Sequence, residues 1–189
     1  LDINHLKLSD MEQLYWREYK NQSTEFTYTR FLLPYLEDYK GWVLFCDNDF
    51  LFLDDVKKIF KLADDHYAVM CCQHNYKPKS DIKMNNEKQT IYKRKNWSSL
   101  MLINCGHPSM KKLDLSTVSE QSGKYLHQFK WLKDEEIGYI PTNWNWLVNW
   151  YKETVDNKPY ALHFTEGGPW IADSEYKDLW LNYKKQMEK

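Results

Sequence analysis

The sequence predicts an α/β domain in which a mostly parallel central sheet is flanked by helices. Three observations point there. Gly41-Trp42-Val43-Leu44-Phe45-Cys46 carries no charge, as expected of a strand buried on both faces. Tyr67-Ala68-Val69-Met70-Cys71-Cys72 is a second such run. Between them Val56, Ile59, Phe60 and Ala63 fall at helical spacing, so strand, helix and strand follow in the order of a right-handed parallel crossover. The 189 residues suffice for one sizeable core, and no repeat or Gly/Ser linker divides them, so residues 1–189 are expected to form a single domain.

Taken in order, residues 9–20 read as a short polar helix or turn with Leu14, Tyr15 and Tyr19 facing inward. Ser23 or Thr24 is placed to cap a helix through Phe26, Arg30, Phe31 and Leu33, which Pro34 should kink or break. After the strand at 41–46, Asp54 or Asp55 caps the helix over 56–63. The segment 74–96 changes character, with Lys77, Lys79, Lys83, Lys88, Lys93, Arg94 and Lys95 against Asp81 and Glu87. It is either a solvated loop or a basic flap over a phosphorylated ligand. Residues 99–104 resume a strand, 113–133 hold at least one amphipathic helix, and 137–141 form a short strand. Trp144-Asn145-Trp146 follows in a loop. Ala161-Leu162-His163-Phe164 is a last strand, ending in the turn Glu166-Gly167-Gly168-Pro169. Residues 174–189 read as an amphipathic helix with Tyr176, Leu179, Trp180 and Tyr183 on one face.

Composition narrows the function. A net charge of -1 provides no global field to draw nucleic acid. The aromatic share is high, 16%, with 9 Trp and 14 Tyr: most rings suit core and half-buried surface, while some are candidates to stack on sugars or bases in a cleft. Cys46, Cys71, Cys72 and Cys105 show neither CxxC spacing nor the density of a disulfide scaffold, which fits free thiols in a reducing cytosol. No apolar run is long enough to span a bilayer and the first residues lack a signal-peptide profile, so a cytoplasmic protein with no transmembrane segment is expected.

The chemistry concentrates in a few side chains. Asp47 and Asp49 follow the first core strand directly, where open α/β sheets bind ligands. Two carboxylates this close repel unless a cation lies between them, and hard oxygen donors suit Mg²⁺ or Mn²⁺. His163, at a strand end beside Gly167-Gly168, completes a reasonable cation shell, with bare backbone N–H groups near for phosphate. Alternatively it is a structural histidine. Arg30 either pairs with Glu25 or Asp38 on its helix or clamps a phosphate. Asp134, Glu135 and Glu136 are either a solvated turn or carboxylates that meet a sugar hydroxyl and stabilise positive charge at an anomeric carbon.

In this order the motifs resemble glycosyltransferase family 8, the glycogenin and lipopolysaccharide galactosyltransferase group with a GT-A fold, over about residues 23–170. Residues 23–36, with Arg30 and Pro34, resemble the helix carrying the family's donor-contacting Arg, and residues 43–52 its strand and Asp-x-Asp motif. Asp134-Glu135 with Ile140-Pro141 and Trp144-Asn145 resembles the block near the donor sugar. His163-Phe164 with Gly167-Gly168-Pro169-Trp170 resembles the closing block, whose His is the third metal ligand. The resemblance implies a metal-dependent transfer of a hexose from a nucleotide diphosphate sugar, a UDP-hexose, to a glycan or other acceptor with retention of configuration. It implies Asp47, Asp49 and His163 as ligands of Mn²⁺ or Mg²⁺, and Asp134 and Glu135 as catalytic. It further implies Arg30, Asn48, Ser98, Ser99, Trp144, Asn145, Gly167, Gly168 and Trp170 as substrate contacts.

Three departures accompany it. The family's first strand is expected before Leu1, which makes the chain an N-terminal truncation. Trp97-Ser98-Ser99 stands where Asn-Ala-Gly is usual, and Gly168 stands where a phosphate-binding Lys is usual, so a Lys or Arg of 74–96 has to serve. The alternatives are a phosphatase of the haloacid dehalogenase type, which also places Asp-x-Asp after a core strand but expects Thr or Val where this chain has Phe50, and a non-catalytic carbohydrate-binding protein on the same fold.

Overall fold

A computed structural model describes residues 1–11, 14–17, 24, 26–75, 93–171 and 173–188. Its strands are β1 (Trp42–Cys46), β2 (Phe50–Phe52), β3 (Val69–Cys71), β4 (Leu100–Asn104), β5 (Ile137–Tyr139), β6 (Trp146–Leu147) and β7 (Ala161–His163). They form two sheets, ordered β1-β4-β3-β5 and β2-β7-β6. The expected mostly parallel sheet is therefore corrected to a mixed one. β1 and β3 do run the same way, as the strand–helix–strand pattern implies, but β4 lies between them and antiparallel to both. Among the described residues only β3–β5 and β6–β7 pair in parallel. An uncharged run specifies burial, not direction, so β4 gave no sign of its orientation.

β4 is buried at all five positions, whereas β1, at the sheet edge, is half-buried at four of five. Val43, Ile103, Val69 and Ile137 form one rung across the first sheet; Phe45, Met101, Cys71 and Tyr139 form another. A large core lies on one face around Phe31, Phe129 and Trp131, and a second, around Ile59, Leu102 and Trp144, lies on the other. The second sheet has a cluster of its own, where Trp146, Leu162 and Phe164 meet Leu179 and Trp180.

The helices are short: α1 (Phe26–Thr29), α2 (Leu33–Leu36), α3 (Lys57–Phe60), α4 (Leu115–Glu120), α5 (Gly123–His127) and α6 (Lys177–Met187). Pro34 follows a break in the expected helix, which ends as α1 at Thr29. It occupies the first turn of α2, where its missing N–H costs nothing, after a 3-10 turn over Arg30–Leu32. Asp55 accepts from Lys57 N–H at 2.9 Å and holds the entry to α3, which is shorter than expected. Asp114 caps α4 through Thr117 N–H, and Ser122 caps α5 through Tyr125 N–H. In the first segment Tyr15 is buried as expected, but Leu14 is exposed and Met11 takes the inward position. Tyr19, Ser23, Lys77, Lys79, Lys83 and Lys88 lie outside the described residues. All four cysteines are free, and no helix among the described residues is long and apolar enough to cross a membrane.

Candidate metal centre

The two sheets meet at the Asp-x-Asp turn. β1 ends at Cys46, and the N–H of Asp47 donates to Ser99 O at 2.9 Å, one step beyond the β1–β4 ladder. Asn48 is exposed at the apex. β2 then begins at Phe50, which pairs in register with His163 of β7, and Phe164 N–H donates to Asp49 O at 3.0 Å. Pairing of β2 with β7 thus sets Asp49 beside His163, while β1 delivers Asp47. The donor atoms of Asp47, Asp49 and His163 lie within 4.8 Å of one another.

Charge in this cluster is unevenly compensated. Arg30, 5% exposed, brings Nη1 to 2.7 Å from Asp47 Oδ1 and also donates to Ser98 O and Phe26 O. His163 Nε2 stands 3.3 Å from Asp49 Oδ1. Burial still outweighs Arg30 and leaves the Asp47 carboxyl above its usual range. Burial pulls Asp49 the same way, but hydrogen bonding and the charge of His163 hold it below that range. Asp47 Oδ1 and Asp49 Oδ1 are nevertheless shut off from solvent without a well-formed hydrogen bond. Two carboxylates and an imidazole whose donor atoms converge within 4.8 Å are a donor set that fits a divalent cation such as Mn²⁺ or Mg²⁺.

Comparison with known proteins places the chain. It is 48% identical to Protein CDI of Arabidopsis thaliana over 199 aligned positions, covering 100% of this chain and 76% of that protein. The chain belongs to the Protein CDI family. No family model matches it. Among solved structures, this member of the CDI family resembles the glycosyltransferase GlyE of Streptococcus pneumoniae TIGR4, with a TM-score of 0.56 and 14% identity. The apo form of GlyE gives a TM-score of 0.53, also at 14% identity. Each match covers 95% of this chain and 50% of the other, so the chain spans half the length of those structures. At that identity the likeness establishes a glycosyltransferase-like fold.

Within the CDI-family chain the remaining expected site residues divide. Ser98 lends its carbonyl to Arg30, and its hydroxyl lies 2.7 Å from His127 Nδ1. Ser99 and Asn145 are buried and bonded to each other, and Asn145 reaches His163. Trp144 is 3% exposed and packs in the second core against Tyr160, so it does not present a free ring. Gly167 has φ 95°, a conformation that favours glycine. Gly168 lies directly beneath the Trp170 indole, where a Cβ would come within 2.1 Å of the ring, while Trp170 itself is 50% exposed.

Asp134 and Glu135 are not brought to the cluster. They precede β5, whereas Asp47 follows β1, and the two strands run the same way, so these residues occupy opposite edges of the sheet. Glu136 accordingly bonds Ser109 beyond the far end of β4. Asp134 pairs with Arg94 on the wall of a cleft of about 920 Å³ that His74 and Trp97 also line. Two histidines passed over in the sequence lie near the cluster. His127, at the end of α5, closes on Ser98 and Arg30, and His74 bonds Tyr151 at 2.7 Å. Burial first, then a positive neighbour, pushes each down to about 3. A lone His beside an apolar strand carries no signal of such a place.

Proposed function

We propose that this chain is a metal-dependent glycosyltransferase that moves a hexose from a nucleotide diphosphate sugar, a UDP-hexose, to an acceptor. The observation that carries the reading is the convergence of Asp47, Asp49 and His163 at the end of β1 on a glycosyltransferase-like fold. These three residues would hold Mn²⁺ or Mg²⁺, which would supply positive charge to offset that developing on a departing diphosphate. Arg30 adds a fixed guanidinium beside Asp47, oriented by Ser98 O and Phe26 O, where it supports the same developing charge without reorganising. Asn48, exposed between the two acids, is free to meet the donor through its amide. Gly167, Gly168 and Trp170 follow β7 on the His163 side and are offered as the phosphate and sugar contacts. Retention of configuration belongs to the same reading, and Asp134 and Glu135 have no part in it.

Thermal-shift titration with UDP and a panel of UDP-hexoses, with and without Mn²⁺, tests the reading. A ligand bound by the folded state alone at 100 times its Kd contributes about 2.7 kcal/mol, a readily measured rise in Tm. The expected result is stabilisation by UDP or a UDP-hexose that requires Mn²⁺. No shift with any nucleotide in the presence of Mn²⁺ refutes it. Release of phosphate from an aryl phosphate would then favour phosphatase chemistry, and glycan binding without turnover would favour a carbohydrate-binding protein.

A further inference from the structure

A line of buried polar groups runs from the backbone into the cation cluster. Asn96 adopts a left-handed conformation, φ 62°, and turns its carbonyl toward Ser99, whose Oγ lies 2.7 Å away. A hydroxyl has one proton, and here it goes to that carbonyl. Toward Asn145, at 2.8 Å, Ser99 Oγ therefore only accepts, and Asn145 must turn its NH₂ to it. That fixes the other end of the amide. Asn145 Oδ1 faces His163 Nδ1 at 2.8 Å and, being an oxygen without a hydrogen, only accepts. Each orientation is determined by the one before it.

We infer that Ser99 and Asn145 are positioning residues that fix the proton of the neutral His163 ring on Nδ1 and so present the Nε2 lone pair to a cation. Three further observations support this. Asn145 is 0% exposed and Ser99 4%, so water does not compete for the amide. The imidazole stacks on Phe50 with centroids 4.4 Å apart and planes 20° apart, which holds the ring as well as its tautomer. Nε2, on the side of the ring away from Asn145, faces Asp49 Oδ1 at 3.3 Å and so is directed into the cluster. Partners behind a metal-binding His are worth 10- to 100-fold in metal affinity. Asn145 thus contributes through His163 rather than by touching a sugar, and the short 3-10 turn Trp97–Ser99 gains a purpose. It holds Arg30 through Ser98 O, Asp47 through Ser99 O, and His163 through the Ser99 hydroxyl and Asn145.

The part of this inference that concerns a cation rests on the proposed function; the tautomer does not. Two measurements on the full chain keep them apart. Long-range ¹H–¹⁵N correlation at pH 8 without metal, with the His163 signals assigned by their loss in His163→Gln, should show the proton on Nδ1. A proton on Nε2 overturns the inference, whatever the metal does. Titration calorimetry with Mn²⁺ should then show binding weakened 10- to 100-fold in Ser99→Ala and Asn145→Leu. Asn145→Asp, which keeps an acceptor facing Nδ1, should stay within a few-fold of wild type. Unaltered affinity in Ser99→Ala and Asn145→Leu, or an Asn145→Asp variant as weak as Asn145→Leu, also overturns it. An Nδ1 proton in a wild-type chain that binds no Mn²⁺ would sustain the tautomer lock and refute the metal reading.

Discussion

Arg30 is tolerated at 5% exposure because acceptors meet its fork on several sides: Phe26 O, Ser98 O and Asp47. Its guanidinium also lies 4.6 Å from the centroid of Phe45, an aromatic face that a compact, strongly hydrated ammonium would use less well. The same enclosure governs His127, whose ring packs edge-on against Phe31 with centroids 5.1 Å apart. Burial, then the charge of Arg30, pushes this imidazole down to about 3, whereas in an unfolded chain it titrates near 6.5. Below pH 6.5 the unfolded state takes up a proton that the folded state refuses. Stability from this group is therefore complete above that pH and is lost as pH falls toward 3. The limiting slope is about 1.4 kcal/mol per pH unit. His127 is half-buried, so a smaller total of about 1 kcal/mol is expected between pH 7 and 5. Urea denaturation of wild type and His127→Gln across that range checks this: wild type should fall more steeply. Parallel pH profiles would mean that the folded ring accepts the proton freely.

Strands are fixed by what packs on them, and β5 shows how tightly. Gly138 lies under the Tyr67 ring and the Met70 side chain, and a Cβ there would come within 2.6 Å of Tyr67 Cδ2 and 2.8 Å of Met70 Cγ. Gly138→Ala should therefore cost about 1–3 kcal/mol through overpacking. A lower urea midpoint with an unchanged slope is the expected signature, and an unchanged midpoint would show that the ring moves aside at no cost. At this scale the sequence was legible where apolar runs were long. β1, β3, β4, β5 and β7 fall inside the expected segments. β2 and β6 were not read as strands, since β2 follows the Asp-x-Asp turn directly and β6 begins within the Trp144-Asn145-Trp146 segment expected as a loop. Pro34 was legible as an interruption of the helix through Phe26 and Leu33, though not as part of the first turn of the next one. Asp134 and Glu135 were misplaced for a different reason. They stand before a strand and Asp47 stands after one, so parallel strands necessarily separate them. The three members of the cation cluster were legible because each sits at a strand terminus. The bond from Asn145 to His163 was not, since no spacing rule links a buried amide to a ring on another strand.

Across the whole molecule the cluster joins two sheets that are otherwise separate hydrogen-bonded units. Asp47 hangs from the β1–β4 pair, while Asp49 and His163 belong to the β2–β7 pair. Without a cation, Asp47 and Asp49 repel across this junction, and Arg30 opposes that repulsion from the Asp47 side. A divalent cation held by all three side chains replaces repulsion with attraction and ties the sheets together. Mn²⁺ at 100 times its Kd should therefore add about 2.7 kcal/mol to global stability. The gain should also have a particular distribution. Native-state hydrogen exchange should slow together at Asp47 N–H, bonded to Ser99 O, and at Phe164 N–H, bonded to Asp49 O. In Asp49→Asn, which removes a charged ligand from the second sheet but leaves Phe50 and His163 paired, both gains should vanish. Slowing confined to Asp47 N–H would mean that the ion rests on the first sheet alone. A single sheet would then hold it without His163, and the three-residue centre would not be the unit that binds metal.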